Sequence, residues 1–414
     1  MMNKDFYVNT RKKIMDNVQD NSLFILFSGK APHRSADADY DFIVNKNFFY
    51  MVGIEREKFI LLIEKRNNEL KETLFIDKVS PIEEKWTGFR MKEDEARSIS
   101  GIENIKAVKD FNTYINTVLF NGDFLNIYLD LERQAWDADE TISFKFAKDI
   151  TDRYPHINIY NSYNIIAKSR MIKEKEEIEM IRKAIEITNQ GIRKMMENSK
   201  PGMMEYQLEA YFDFEIKTLG SKRHAFKTIA ASGKNGIVLH YGENNCEMKD
   251  GDLILFDLGA EYNNYCADIS RTFPVNGKFT ERQKEIYNIV LKSQLETIKA
   301  VEPGIPYKEL NNVTRRVLIE ECKKIGLIKE DEEISKYYYH GVSHYLGLDT
   351  HDVGDRNVNL QPGMVLTIEP GLYIEEEGIG IRIEDNVVVT EDGCEVLSKD
   401  IIKTVEEIEA LMNK

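Results

Sequence analysis

Cysteine is scarce and unpaired in spacing. Cys246, Cys266, Cys322 and Cys394 are scattered over 414 residues with no CxxC among them. That argues against a disulfide scaffold and against a thiolate zinc site, and makes a reducing cytoplasm the expected compartment. Long apolar runs are missing as well. LFILF (23–27) is strand-sized, far short of the roughly 20 residues that span a bilayer. The opening MMNKDFYVNTRKKIMDNVQD carries charge but no apolar segment, so neither a secretory leader nor a membrane partner is expected. No stripe of Lys and Arg interleaves with aromatics, and a net charge of −15 repels polyphosphate, which excludes nucleic acid as an expected partner.

What remains is a chain with 42% apolar and 31% charged residues, the balance of a soluble globular protein. Its length points to two domains. The first part alternates short apolar segments with polar connections: SLFILFSG (22–29), NFFYMVGI (47–54), KFILLIE (58–64), ETLFID (72–77) and FLNIYLDL (124–131), all read as strands of a smaller α/β domain. The texture then changes. Ile178, Ile181, Ile185, Ile192 and Met195 recur at helical spacing up to Pro201-Gly202, which predicts one long amphipathic helix. The boundary is expected near residue 164, giving domains 1–164 and 165–414. The charge runs KEKEEIE (173–179) and IEEEGIG (374–380) read as solvated faces or loops.

The second domain contains a repeat. GDLILFDLG (251–259) and GMVLTIEPG (363–371) share one frame, with Asp257 and Glu369 in the same slot. Upstream of each, a helix ends at a Pro-Gly turn (Pro201-Gly202, Pro303-Gly304) and a second helix stops near Gly220 or Gly326. Two helix-helix-strand halves facing each other would form a pseudo-twofold α/β domain.

Leu253, Leu255 and Asp257 share one face of their strand; Ile254, Phe256 and Leu258 share the other. A strand apolar on both faces is buried, so an acid in it must be paired, protonated or bound to metal. Each copy returns with another acid in an apolar setting, Asp268 in YCADISRTF and Glu384 in GIRIEDNVVV. Four converging carboxylates repel unless cations lie among them. Two divalent ions would balance four charges and leave room for a neutral imidazole. The stretch YYYHGVSHYLGLDTHDVGD (337–355) offers three, His340, His344 and His351, among glycines at 341, 347 and 354 that preclude a regular helix and suggest backbone pressed close to something.

HGVSHYLGLDTHD resembles the signature of the Xaa-Pro peptidases of the pita-bread metallopeptidase family, and RSADADYDFIVNKNFFYMVGIE (34–55) resembles the N-terminal domain of aminopeptidase P and the larger prolidases. The resemblance covers nearly the whole chain. It implies a C-terminal pita-bread fold behind the smaller N-terminal α/β domain, and five metal ligands: Asp257, Asp268, His344, Glu369 and Glu384. Asp268 and Glu384 would bridge two divalent ions, Asp257 would chelate one, and His344 with Glu369 would complete the other. Oxygen-rich ligation favours manganese, with cobalt or zinc as substitutes. Glu369 would be the general base; His240 and His351 would polarise the scissile carbonyl; His340 and Arg382 would line the proline side of the cleft, unless Arg382 is a structural ion pair. Cys266 reads as a small core residue. Two departures from the family pattern are Thr350, where relatives carry Ile or Val, and the short connection from Val353 to Gln361.

The expected activity is hydrolysis of the bond between an N-terminal residue and a following proline, by a homo-oligomer (dimer or tetramer) acting on peptides. The alternatives are a prolidase confined to dipeptides, a methionine aminopeptidase, a metal-free amidinohydrolase, and a pita-bread binding module. The extra N-terminal domain argues against the second of these, and the intact ligand pattern against the last two.

Overall fold

Ser22–Phe27 is buried along its whole length because it sits inside a sheet. The computed structural model describes residues 2–122 and 124–413 and divides into two units, Met1–Arg170 and Met171–Lys414. In the first, a mixed six-stranded sheet runs in the order Asn104–Ala107, Glu69–Ile76, Ile60–Arg66, Ser22–Phe27, Asn126–Leu129, Asn158–Asn161. Ser22–Phe27 pairs antiparallel with Ile60–Arg66 (Ser22 opposite Lys65) and parallel with Asn126–Leu129. Leu23, Ile25, Leu62, Phe75 and Ile127 pack one face of it against Phe111, Ile115 and Ile150.

One segment read as a strand is a helix. The NFFYMV of NFFYMVGI lies in Lys46–Val52, which starts where the Asn45 side chain accepts from the Phe48 amide (2.8 Å) and stops at Gly53 in the left-handed region (φ 76°). Asn47 to Val52 are all buried. An apolar run buried on every side has no period to read, and the two caps decide its conformation.

The second unit is a pita-bread domain built from two copies of one pattern. In the first, helices Lys175–Asn198 and Glu205–Thr218 precede strand Leu253–Leu258, a small hairpin (Glu261–Tyr262 with Tyr265–Cys266) and the return strand Ile269–Pro274. In the second, helices Glu281–Lys299 and Glu309–Lys324 precede Val365–Ile368, the hairpin Gly371–Ile374 with Ile379–Arg382, and the return strand Asp385–Val389. Both outer pairs are antiparallel, Asp257 facing Ser270 in one and Ile368 facing Asp385 in the other. The helix expected from the isoleucine spacing is Lys175–Asn198, with Ile181, Ile185, Ile192 and Met195 buried. Among the described residues no helix is long and apolar enough to cross a membrane.

The run 173–179 departs from the solvated face expected of it. Lys173 and Glu177 are buried: Lys173 pairs with Asp352, and Glu177 accepts from the Tyr265 hydroxyl (2.9 Å) and the Glu174 amide (2.9 Å). Charge density along the sequence shows how polar a segment is, not which residues at helical spacing face inward. The second run conforms, with Glu375, Glu376 and Glu377 exposed in a turn.

Burial holds the Glu177 carboxyl up, at about 7 against an ordinary 4.5. Because the folded-state value is raised, its stabilising contribution is complete below about pH 4.5 and is lost as pH rises through about 7. By linkage the loss is on the order of 3 kcal/mol. Glu177→Gln keeps the shape and removes the titration, so urea unfolding at a series of pH values should show the variant gaining on the parent between pH 4.5 and 8. A constant difference would mean that Glu177 does not titrate in this range.

Candidate metal centre

The acids meet because the two copies are bonded to each other at their return strands. Asp268 donates its amide to Asn386 Oδ1 (3.3 Å), and its backbone carbonyl accepts from Asn386 Nδ2 (2.6 Å). Glu384 donates its amide to the Ser270 carbonyl (3.1 Å), and the Ser270 hydroxyl donates to Glu384 Oε2 (2.9 Å). Arg271, fully buried, reaches across to Asp385 (2.8 Å). Each return strand thus brings an acid and, two residues on and on the same face, the polar group that bonds the other copy.

His344 arrives from a third direction. The stretch 342–346 runs beside Val365–Ile368: the Leu346 amide donates to the Val365 carbonyl (3.0 Å), Thr367 to His344 (3.0 Å) and Glu369 to Val342 (2.9 Å). Its Nδ1 lies 3.0 Å from the Tyr345 carbonyl. A carbonyl only accepts, so Nδ1 donates there and Nε2 is the nitrogen turned toward the acids, the one placed to bind metal. Nε2 lies 3.3 Å from Asp268 Oδ2 and 3.5 Å from Glu369 Oε1. One ligand atom from each of Asp268, His344 and Glu384 fits within 4.8 Å of the others, and all three residues are buried.

The donor set fits divalent cations on two observations. Asp257 Oδ1, Asp268 Oδ1 and Glu384 Oε1 are buried without a hydrogen-bond partner among the described residues, a cost that coordination removes. Burial, with the charges of Asp257 and Glu369, holds the Asp268 carboxyl well above its ordinary range; burial, with Asp268, Glu369 and Asp257, does the same for Glu384. Glu369 is raised by burial, opposed by His344 and Arg382. Carboxylates so placed ionise together only when cations neutralise them.

Around this centre stand the other predicted residues. Arg382 is buried and pairs with Asp257 Oδ2 (2.7 Å), the structural pairing weighed for it, and also donates to the Ser270 hydroxyl (2.8 Å) and the Tyr373 hydroxyl (3.1 Å). His340 Nδ1 lies 4.0 Å from Glu369. That nitrogen donates to the Gly341 carbonyl (2.8 Å), which leaves Nε2 to accept from the Tyr373 hydroxyl (2.9 Å). Burial and Arg382 push His340 down to about 4, so it is neutral at physiological pH. The exposed His351 packs its ring edge-on to His344, centroids 4.3 Å apart. His240 is also exposed; burial first, then the neighbouring His344 and His240, lower His351. Cys266 is buried in the core.

The sequence reading missed the supports. Ser270 and Asn386 sit two residues after an acid, and Thr367 two before one, so a polar residue sharing a face with an acid in an apolar strand was the available signal. Glu205 had none: fully buried at the start of its helix, it accepts from the Ser232 amide and hydroxyl (both 2.7 Å), Asn235 (3.0 Å), Tyr241 (3.0 Å) and the Cys246 amide (2.9 Å), and so pins the loop that carries His240. Of the glycines, an added Cβ at 347 would meet Asp352 at 2.2 Å and at 354 the Tyr345 ring at 2.1 Å, whereas Gly341 has nothing within 4 Å.

A duplicated helix-helix-strand domain whose two halves meet in buried acids and a metal-ready imidazole defines a pita-bread metallohydrolase. Comparison with known proteins narrows the class. Residues 179–391 match the model of metallopeptidase family M24, and residues 7–128 that of the aminopeptidase P N-terminal domain. The Xaa-Pro aminopeptidase of Escherichia coli is 37% identical, over 97% of this chain and 96% of its own length. A solved Bacillus anthracis structure superposes with a TM-score of 0.98 at 51% identity, covering 100% of this chain and 99% of the other. E. coli aminopeptidase P, solved with the inhibitor Pro-Leu, gives 0.91 at 36% identity, covering 100% and 98%. The chain belongs to metallopeptidase family M24.

Proposed function

We propose that this protein is a dinuclear-metal exopeptidase that hydrolyses the bond between an N-terminal residue and a following proline. The observation that carries the reading is the group of buried carboxylate oxygens that have no hydrogen-bond partner among the described residues, beside the Nε2 of His344. In this reading Asp257, Asp268, His344, Glu369 and Glu384 hold two divalent ions, manganese first, with cobalt or zinc able to substitute. Such ions supply Lewis acidity and make water nucleophilic at neutral pH.

Glu369 accepts the proton of the attacking water and hands it to the departing proline nitrogen. Its carboxylate stands within the cluster, 3.5 Å from His344 Nε2 and 4.0 Å from His340 Nδ1. The exposed His351 and His240 donate to the carbonyl oxygen as it gains charge. Both nitrogens of His340 are engaged, so it offers its ring face to the proline, beside Arg382. The tertiary amide of Xaa-Pro lacks an N–H and defeats ordinary peptidases, which is the reason for a dedicated pocket.

The domains are assigned as 1–164 and 165–414 and the compartment as the cytoplasm. A homo-oligomer, dimer or tetramer, is proposed; Ile82 and Trp86 on the helix Pro81–Thr87, and Phe89 just beyond it, are each exposed. The test of the activity compares Ala-Pro-Ala with Ala-Pro by kcat/KM after manganese loading. The tripeptide should be cleaved at least as well; strict dipeptide preference makes the protein a prolidase, and no cleavage of either overturns the reading.

A further inference from the structure

His351 stands exposed on a stretch with neither helix nor strand around it, yet a preorganised donor must be held still. What holds it is a buried charge pair. Lys173 Nζ lies 2.8 Å from Asp352 Oδ2, and each side chain is only 1% exposed. Asp352 follows His351 directly and also donates its amide to the Tyr345 carbonyl (2.9 Å). Lys173 precedes the helix Lys175–Asn198, and its amide donates to the Gly363 carbonyl (2.8 Å), at the turn into Val365–Ile368. The pair therefore ties the histidine to the strand that leads to Glu369. Gly347 leaves the space for it, since an added Cβ would meet the Asp352 carboxylate at 2.2 Å and Lys173 Cε at 2.9 Å.

Stability alone does not account for this arrangement. Removing two charges from water costs several kcal/mol, and replacing a buried pair with apolar side chains of similar shape is often neutral or stabilising. A charge-assisted hydrogen bond provides what apolar contact does not, a fixed direction. We propose that Lys173 and Asp352 are positioning residues that orient His351 toward the scissile carbonyl. This rests on the reading of His351 as the donor to that oxygen.

The test is a double-mutant cycle in the full-length, metal-loaded protein. The pair is replaced together (Lys173→Met with Asp352→Leu) in a Glu177→Gln background, because the buried Glu177 carboxyl also feels Lys173 and would otherwise remain as a lone charge. This variant is compared in that background with His351→Ala and with the triple variant on a proline tripeptide. The pair variant should fold, keep its metal and lose kcat by about 10- to 100-fold with little change in KM. The triple variant should be no slower than His351→Ala alone, because an unoriented histidine and an absent one lose the same interaction. Parent kcat in the pair variant, or losses that multiply in the triple, would overturn the proposal. So would failure of the pair variant to fold, which would make the pair a stability element. The underlying reading fails separately and visibly: His351→Ala would then retain parent kcat.

Discussion

Replacing His351 with alanine should lower kcat on an Xaa-Pro peptide by roughly 10² to 10³ with metal content unchanged, the loss typical of one donor to a developing oxyanion. His344→Ala should behave differently. Its Nε2 stands 3.3 Å from Asp268 and 3.5 Å from Glu369, so its loss removes a ligand and should weaken metal binding at least 10- to 100-fold. The two rings touch, centroids 4.3 Å apart, so activity alone would not separate them. Metal stoichiometry measured beside kcat does. Metal loss in His351→Ala with retention in His344→Ala would reverse the two assignments.

Chelation should cost stability, and the cost should grow with pH. Two ions at about 100 times their dissociation constants contribute about 5 kcal/mol together. In a chain of 414 residues their removal should lower the thermal midpoint by about 5–10 °C. The pH dependence follows from the sign of the shifts. Asp268, Glu369 and Glu384 are raised above their ordinary values, so in the metal-free protein their contribution is present at low pH, where they are protonated, and is lost as pH rises through the raised values. Bound cations reverse this by favouring the ionised forms. The gap between metal-loaded and chelated midpoints should therefore be smaller at pH 5 than at pH 8. An unchanged midpoint at both, with metal removal verified, would rule out a stabilising metal centre in this cluster.

Much of the catalytic unit could be read before folding. The shared frame of GDLILFDLG and GMVLTIEPG marked the two strands, and the acids stood out because a carboxylate in an apolar strand needs a reason. The supports could not be read in the same way. Asn47 to Val52 form a helix where a strand was expected, because caps at Asn45 and Gly53 settled what an unbroken apolar run leaves open. Lys173 looked like part of a solvated charge run, and only its partner 179 residues away shows why it is buried.

By itself the sequence determined which residue types stand at which spacing: an acid in each strand, another after each hairpin, and histidines among glycines. Those patterns are local, since strand alternation and helical period act over a few residues. The tertiary structure decided that Asp268 and Glu384, 116 positions apart by number, become neighbours through Asn386 and Ser270. It also decided that His340 is neutral with both nitrogens occupied while His344 turns its Nε2 to the acids. Burial, proton affinity and tautomer depend on what the rest of the chain packs around a group, and that environment exists only once the chain has folded.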